Sequence, residues 1–235
     1  MIHLLALDAS SRACSVALLR RPDGGEAQCL TRFELAPREH TRRLLPMVDE
    51  VLAEAGLSAS SLDAVAYGQG PGSFTGLRIA AGAAQGLAYG LGCPLIGVST
   101  LAAMAVGSHY RHHCRYLITA LDARMGEIYV AAWQCRDGIP EALLAEAVMP
   151  PSRLRLPRGH EDHDWVGVGS GWGLWGDMPT EVQAAISQHL PDVEADAADM
   201  VRLAARAYDA GEGCAPHEVQ PVYLRDQVAW KKARA

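Results

Sequence analysis

The sequence predicts an α/β protein of two lobes. One pattern, an apolar strand that ends in Asp, then a short turn and a second strand, occurs twice, about half a chain apart. The first copy covers residues 2–19 and contains Asp8, and the second covers residues 116–134 and contains Asp122. Helical patterns follow each copy, and 235 residues, 49% of them apolar, can form the core that such a fold requires.

The first lobe is predicted to span residues 1–106. Strands are expected at residues 2–8, 15–19, 28–35, 64–67 and 94–98, and helices at residues 40–56, 74–91 and 99–106. The first three strands should be antiparallel, because short turns join them. Pro46 interrupts the apolar spacing of the first helix, so that helix either begins near Leu45 or kinks at the proline.

The second lobe is predicted to span residues 107–215, and its pattern is weaker. Residues 108–115 are polar and are interpreted as a connection, and residues 150–164 as a loop. Strands are expected at residues 116–122, 127–134 and 165–168, and helices at residues 180–189 and 198–210. Residues 221–225 should be extended, within a tail (residues 216–235) that packs back on the first lobe.

Composition limits the classes of function. A net charge of −6 gives no support for RNA binding by this chain alone, which usually requires a basic face. The six cysteines are scattered without a Cys-x-x-Cys pair, and no basic signal region precedes the first strand, so reduced thiols in the cytoplasm are expected. Residues 79–98 carry no charge, but the Cys93-Pro94 break indicates a buried helix and strand rather than a membrane span.

Residues 68–78 form the most distinctive run, Gly-Gln-Gly-Pro-Gly-Ser-Phe-Thr-Gly-Leu-Arg, between a strand and a helix that Ser73 can cap. Such a loop can hold an anion at a helix N-terminus, or it can let the helix pack tightly on the sheet. It lacks the Gly-Lys-Ser/Thr ending of a phosphate-binding P-loop, so the packing interpretation is preferred. Ser73 does not lie in a Gly-x-Ser-x-Gly elbow, which argues against a hydrolase nucleophile.

A vestigial nucleotide or anion site remains an alternative, since both strand-ending aspartates precede turns that are poor in glycine. Its candidate residues are Asp8, Ser10, Gly70, Gly72, Ser73, Thr75, Arg78 and Gly169. Two polar loops contain residue types that ligate metals: His109, His112, His113 and Cys114 in one, and His160, Glu161, His163 and Asp164 in the other. Neither has a fixed ligand spacing on one element, so a metal site is not expected in either.

The second helix carries a stripe of small residues. Gly82, Gly86 and Gly90 recur every four residues, which places them on one side of the helix, with Ala83 beside them. Such a stripe allows another helix to approach closely. The stripe packs either on the protein's own sheet and first helix or against a partner subunit.

The sequence resembles a known family at four places. These are Leu7-Asp8-Ala9-Ser10, the run from His40 to Pro46, residues 68–78, and Pro221-Val222-Tyr223-Leu224-Arg225. Together they resemble the TsaB (YeaZ) family of the actin-like and sugar-kinase superfamily, over nearly the whole chain. The resemblance implies two lobes, each a mixed, five-stranded-like sheet flanked by helices, the second lobe being degenerate.

The resemblance also implies a function. TsaB proteins are implied to act with the paralogous transferase TsaD and the ATPase TsaE in making threonylcarbamoyladenosine beside the anticodon of tRNAs that read codons starting with A. In TsaD the segment matching residues 97–104 carries a His-x-x-x-His metal pair, whereas this sequence has Thr100 and Met104. Neither residue suits such a metal. No catalytic residue, metal or tightly bound cofactor is therefore expected, and weak ATP or ADP binding through the complex is left open.

The expected partners are TsaD in a heterodimer and TsaE, with a homodimer when the chain is alone, tRNA contacted only through the complex, and no membrane. The helices at residues 40–56 and 74–91 are the implied interface. Its residues are His40, Leu44, Leu45, Met47, Val48, Val51, Gly76, Ile79, Gly82, Ala83, Gly86 and Gly90. The alternatives are an ATP-dependent kinase or ATPase of the same superfamily and, with less support, a peptidase.

Overall fold

The structure is a computed structural model that describes residues 1–225. Two mixed five-stranded sheets form the centre of the protein. The first sheet has the strand order β3-β2-β1-β4-β5. Its strands are β1 (Ile2–Asp8), β2 (Ala13–Arg21), β3 (Gln28–Leu35), β4 (Ala64–Gly70) and β5 (Leu95–Ser99). β2 pairs antiparallel with β1 and β3, whereas β4 runs parallel to β1 and β5.

The second sheet repeats this arrangement, with the order β8-β7-β6-β9-β10. Its strands are β6 (Tyr116–Asp122), β7 (Ile128–Arg136), β8 (Ile139–Met149), β9 (Trp165–Val168) and β10 (Ile186–Leu190). Again the first three strands are antiparallel and the last two are parallel to the central strand. The predicted duplication is confirmed at the level of sheet topology.

The helices are α1 (His40–Ala55), α2 (Phe74–Leu91), α3 (Thr100–His112), α4 (Thr180–Ala185) and α5 (Ala197–Asp209). Side-chain oxygens of Ser73, Ser99 and Asp196 cap the N-termini of α2, α3 and α5. Gly56 and Gly92 end α1 and α2 in the left-handed conformation.

α1 and α2 cover the outer face of the first sheet, while α3 and α5 lie between the sheets. One continuous apolar cluster joins both sheets through α3 and α5, from Leu4 on β1 to Leu117 on β6. A separate apolar cluster, around the buried Trp165 and Trp172, fills the outer side of the second sheet. The predicted lobe boundary, between residues 106 and 107, falls inside α3.

Several predicted boundaries differ from the structure. α1 begins at His40, so the alternative start near Leu45 is wrong. Pro46 lies on the exposed side of α1, where water can satisfy the carbonyl that the proline leaves without a helical donor. Residues 108–112 continue α3 instead of forming a connection, because Arg111 pairs with Asp199 on α5.

The second lobe contains two further corrections. β8 was not predicted, because its Ala, Leu and Glu residues favour helix in isolation, yet pairing with β7 makes it an edge strand. The predicted helix at residues 180–189 ends at Ala185, and residues 186–190 pair with β9 as β10. No helix within the described residues is long and apolar enough to cross a membrane. The predicted packing of residues 226–235 lies outside the described residues.

Candidate functional site

The glycine-rich loop packs directly on the turn between β1 and β2. The Ser73 amide donates to the Ser10 carbonyl (2.7 Å), and the Ser73 hydroxyl accepts from the Gly76 amide (3.3 Å). A Cβ at Gly72 would lie 2.4 Å from the Ser10 carbonyl oxygen, and one at Gly76 would lie 1.8 Å from the Ala9 carbonyl oxygen. The backbone of the β1–β2 turn therefore occupies the space beside the loop glycines that a bound anion would need.

The two ends of the loop are equally close to neighbouring atoms. A Cβ at Gly68 would lie 2.1 Å from Oδ1 of Asp8. Gly70 has a φ of +113°, and a Cβ there would lie 2.9 Å from the Val222 carbonyl oxygen. These contacts favour the packing interpretation, in which the glycines fix α2 close to the first sheet.

Asp8 is fully buried at the end of β1. Its carboxylate accepts hydrogen bonds from the Ser10 amide (3.2 Å) and the Ser10 hydroxyl (3.1 Å). The pKa of Asp8 is raised to about 7, mainly by burial and to a smaller extent by the nearby Asp196, while the hydrogen bonds from Ser10 oppose the shift. The side chain is thus enclosed by its own turn.

The corresponding turn of the second lobe is built differently. Asp122 accepts from the Arg124 amide (2.8 Å), and the Asp122 amide donates to the Ser170 hydroxyl (3.1 Å). Gly169 has a φ of +100°, and a Cβ there would lie 2.5 Å from the Ala120 carbonyl oxygen. The Gly169 turn consequently packs against β6, as a structural glycine turn would.

The other residues of the predicted anion site do not point to a common centre. Ser73 and Thr75 are exposed, and Arg78 turns toward the C-terminal segment. The Arg78 guanidinium lies 3.8 Å from the centre of the Phe74 ring, and its Nε donates to the Tyr223 hydroxyl (3.2 Å). Arg78 is therefore held by two aromatic rings and not by the glycine loop.

The small-residue stripe of α2 faces outward. Gly82, Gly86 and Gly90 are exposed, and a Cβ at any of them would meet nothing within 4 Å. The stripe thus packs on neither the protein's own sheet nor α1. Tyr89 on the same helix is 78% exposed, and Leu45 on α1 is 48% exposed, so the outer surface of this helix pair combines smooth and bulky apolar positions.

Five of the twelve predicted interface residues are needed inside the chain. Leu44, Met47, Val48 and Val51 are buried in the core under α1, and Gly76 is buried against the β1–β2 turn. The prediction that these five face a partner is corrected, because their side chains or backbone have no free surface. His40, Ile79 and Ala83 are half-buried, with the His40 imidazole within hydrogen-bonding distance of the Ser11 carbonyl oxygen (3.1 Å). The exposed members are Leu45, Gly82, Gly86 and Gly90.

The two histidine-containing segments have local structural partners, and the first of them is not the predicted loop, because His109 and His112 lie in the last turn of α3. Nδ1 of His109 lies 2.6 Å from the Cys114 carbonyl oxygen, and the His163 ring stacks on Tyr116 with ring centres 3.9 Å apart. Across residues 1–225, His, Cys, Asp and Glu side chains form no group of three or more that could hold a metal ion.

Thr100 and Met104 occupy the first turns of α3 and are completely buried. The Met104 methyl group would lie 2.5 Å from a Cβ on Gly169, which places it in the core between the sheets. A buried thioether and a hydroxyl do not form a suitable donor set for a hard or borderline divalent cation. These residues therefore do not fit the metal of a TsaD-type transferase.

Tyr89 is an exposed residue of this surface that the sequence argument missed. It follows Gly82 by seven residues, which places it on the same side of α2, so the same helical spacing that revealed the stripe could have identified it. The contacts of residues 216–225 with α2 were predicted only in general terms, because extended segments leave no periodic pattern.

A family model, curated relatives and a solved structure all point to the same family. A family model described as "TsaD: tRNA N6-adenosine threonylcarbamoyltransferase" matches residues 33–233. The "tRNA threonylcarbamoyladenosine biosynthesis protein TsaB" of Escherichia coli (strain K12) is 42% identical, covering 98% of both chains. The Haemophilus influenzae protein of the same name is 40% identical, covering 98% of this chain and 97% of that one. A solved structure, "YeaZ from Pseudomonas aeruginosa", superposes with a TM-score of 0.87 and 42% identity, over 95% of this chain and all of that one.

Proposed function

The chain belongs to the TsaB (YeaZ) branch of the TsaD family, which serves tRNA threonylcarbamoyladenosine synthesis, and we propose that it is a non-catalytic subunit of the transferase complex. In this role it binds TsaD through the outer surface of α1 and α2 and holds the transferase in a competent state. The complex transfers the threonylcarbamoyl group to the adenosine beside the anticodon of tRNAs that read codons starting with A.

The exposed glycine stripe of α2 is the observation that supports this proposal most directly. An 18-residue helix that presents Gly82, Gly86 and Gly90 to solvent gains nothing from them in the free chain, since glycine destabilises a helix interior by about 1 kcal/mol relative to alanine. That cost is offset if a partner helix packs closely on the stripe. Leu45 and Tyr89 would then lie in or beside the interface as its larger apolar contacts.

A non-catalytic role is supported by the buried Thr100 and Met104 on α3, which do not suit a metal. The closely packed loop around Gly72 and Gly76 supports the absence of a tightly bound nucleotide, with ATP or ADP binding weakly through the complex at most. We expect TsaE to join this complex and tRNA to reach the chain only through it, in the cytoplasm. In isolation the same α1–α2 surface is expected to pair two copies of the chain.

Substitution of the stripe tests the interface. Gly82→Leu and Gly86→Leu each place a bulky side chain where α2 is smooth, without touching the protein's own core. We expect at least tenfold weaker TsaD binding by isothermal titration calorimetry, with an unchanged far-UV CD spectrum. Gly173→Leu is the matched control, because Gly173 is also exposed with nothing within 4 Å but lies in the second lobe. Unchanged TsaD affinity of both α2 variants would contradict the proposed interface.

Reconstitution tests the function itself. TsaD, TsaE and the synthase that makes threonylcarbamoyl-adenylate are combined with tRNA, with and without this chain, and the modified nucleoside is measured by mass spectrometry. We expect product only when the chain is present. Full modification without it would overturn the proposed role.

A further inference from the structure

Residues 216–225, named here the C-terminal strap, run along α2. Nε2 of Gln85 donates to the carbonyl oxygens of Pro216 (3.2 Å) and Val219 (2.8 Å). Farther along, the Val222 amide donates to the Gln69 carbonyl (2.7 Å). The strap is therefore fixed at two places on the first lobe, beside α2 and at the glycine-rich loop.

Tyr223 of the strap contacts the N-terminal part of α2. The Tyr223 ring packs on Phe74 with ring centres 5.6 Å apart, and its hydroxyl accepts from Nε of Arg78 (3.2 Å). Phe74, Arg78 and Gln85 are spaced by four and seven residues, so they form one line on the helix surface, next to the glycine stripe. The strap consequently borders the surface that is proposed to bind TsaD.

The end of the strap is anchored on the second lobe. The Arg225 guanidinium pairs with the Glu127 carboxylate. It also contacts the Arg124 carbonyl oxygen (3.5 Å) and Sδ of Met125 (3.8 Å). The Arg225 side chain is only 19% exposed, so this ion pair is shielded from solvent more than a typical surface pair. A single ten-residue segment thus joins α2 to the turn between β6 and β7.

We infer that the strap is a latch that couples partner binding on α2 to the β6–β7 turn of the second lobe, with Tyr223 and Arg225 as positioning residues. The inference rests on the proposed function, because the partner that moves or holds α2 is TsaD. A partner packed on the stripe also limits the motion of the strap beside it. Because Arg225 ends the strap, the motion of the Arg225–Glu127 pair is limited as well. Coupling between two sites is reciprocal: the factor by which TsaD binding strengthens the pair equals the factor by which the intact pair strengthens TsaD binding, so removing the pair should lower TsaD affinity by that coupling factor.

Hydrogen exchange measured by mass spectrometry tests the latch on the full chain, free and bound to TsaD. In the wild-type chain, TsaD binding should slow exchange of the backbone amides at residues 123–127, although these lie on the other lobe from the α2 stripe. Arg225→Ala should abolish that slowing and reduce TsaD affinity about fivefold, the lower end of typical coupling. Glu127→Gln, which conserves side-chain size, should do the same.

Controls separate the latch from general destabilisation. Arg155→Ala removes an exposed arginine of the second lobe that pairs with Glu181, and it should leave both measurements unchanged. The exchanged pair Arg225→Glu with Glu127→Arg should restore part of the lost affinity. The latch is refuted if wild-type chain binds TsaD without slower exchange at residues 123–127, or if Arg225→Ala and Glu127→Gln bind with wild-type affinity. A wild-type chain that does not bind TsaD at all would refute the proposed function as well.

Discussion

Asp8 should make the protein less stable as pH rises, and Asp8→Asn should remove that effect. The carboxylate is completely enclosed at the end of β1, and its hydrogen-bond partners are the amide and hydroxyl of Ser10. An asparagine can keep both contacts, since its carbonyl accepts from the Ser10 amide and its amide donates to the Ser10 hydroxyl. The substitution therefore changes charge with little change in shape.

The sign follows from the direction of the shift. Burial raises the pKa of Asp8 from its ordinary value of 3.8 to about 7. Between these pH values the folded chain retains a proton that the unfolded chain has released, so the free energy of unfolding falls as pH rises through this window. A pKa difference of about 3 corresponds to about 4 kcal/mol, which is the upper limit of the loss above pH 7.

Urea unfolding at pH 4.5 and pH 8 measures the effect. We expect the advantage of Asp8→Asn in free energy of unfolding to be small at pH 4.5, near the start of this window, and to reach about 2–4 kcal/mol at pH 8. Asp122→Asn, at the equivalent strand end of the second lobe, is the control, because its partly exposed carboxylate pairs with Arg124 near solvent. A wild-type-like or lower stability of Asp8→Asn at pH 8 would refute the conclusion that burial of this charge dominates.

Two further predictions concern glycines that differ in their surroundings. Gly76→Ala should destabilise the protein by about 1–3 kcal/mol, because its methyl group would lie 1.8 Å from the Ala9 carbonyl oxygen. Gly86→Ala in the same helix should stabilise the protein by about 0.5–1 kcal/mol, because its methyl group would meet nothing within 4 Å. Thermal unfolding that ranks the two variants in the opposite order would contradict the packing described here. Gly107→Ala would place a methyl group 1.9 Å from Oδ2 of Asp199, a buried carboxylate that pairs with Arg111. Urea unfolding should therefore show a free energy of unfolding about 2–4 kcal/mol lower than that of the wild-type chain. An unchanged free energy of unfolding would count against this ion pair.

The sequence allowed prediction of the duplicated sheets because each copy begins with a continuous apolar strand that ends in Asp. Those strands are buried on both faces, so their composition alone distinguishes them from loops. β8 escaped prediction because an edge strand is only half-buried and its alternation is weak. β10 escaped for a similar reason, since its five residues are stabilised by pairing with β9 rather than by their own propensity.

Prediction of the interface depended on knowing which side of each helix faces outward. Helical spacing placed Gly82, Gly86 and Gly90 on one side of α2, but the same spacing could not separate the core side of α1 from its outer side. Leu44 and Met47 were therefore assigned to a partner although they support the protein's own sheet. Apolar periodicity identifies a buried side without indicating whether the burying surface belongs to the same chain.

The closely packed loop explains how a chain of the actin-like superfamily can keep its fold while its phosphate region has another use. Glycine permits close approach of any atom, and in this chain the approaching atoms are the carbonyl oxygens of Ala9 and Ser10. Because the Ser73 amide already donates to Ser10, that loop amide is not free for a phosphate oxygen. The same contacts fix the start of α2 relative to the first sheet. A rigidly placed α2 suits a subunit that positions a catalytic partner through its outer surface and not through a nucleotide site.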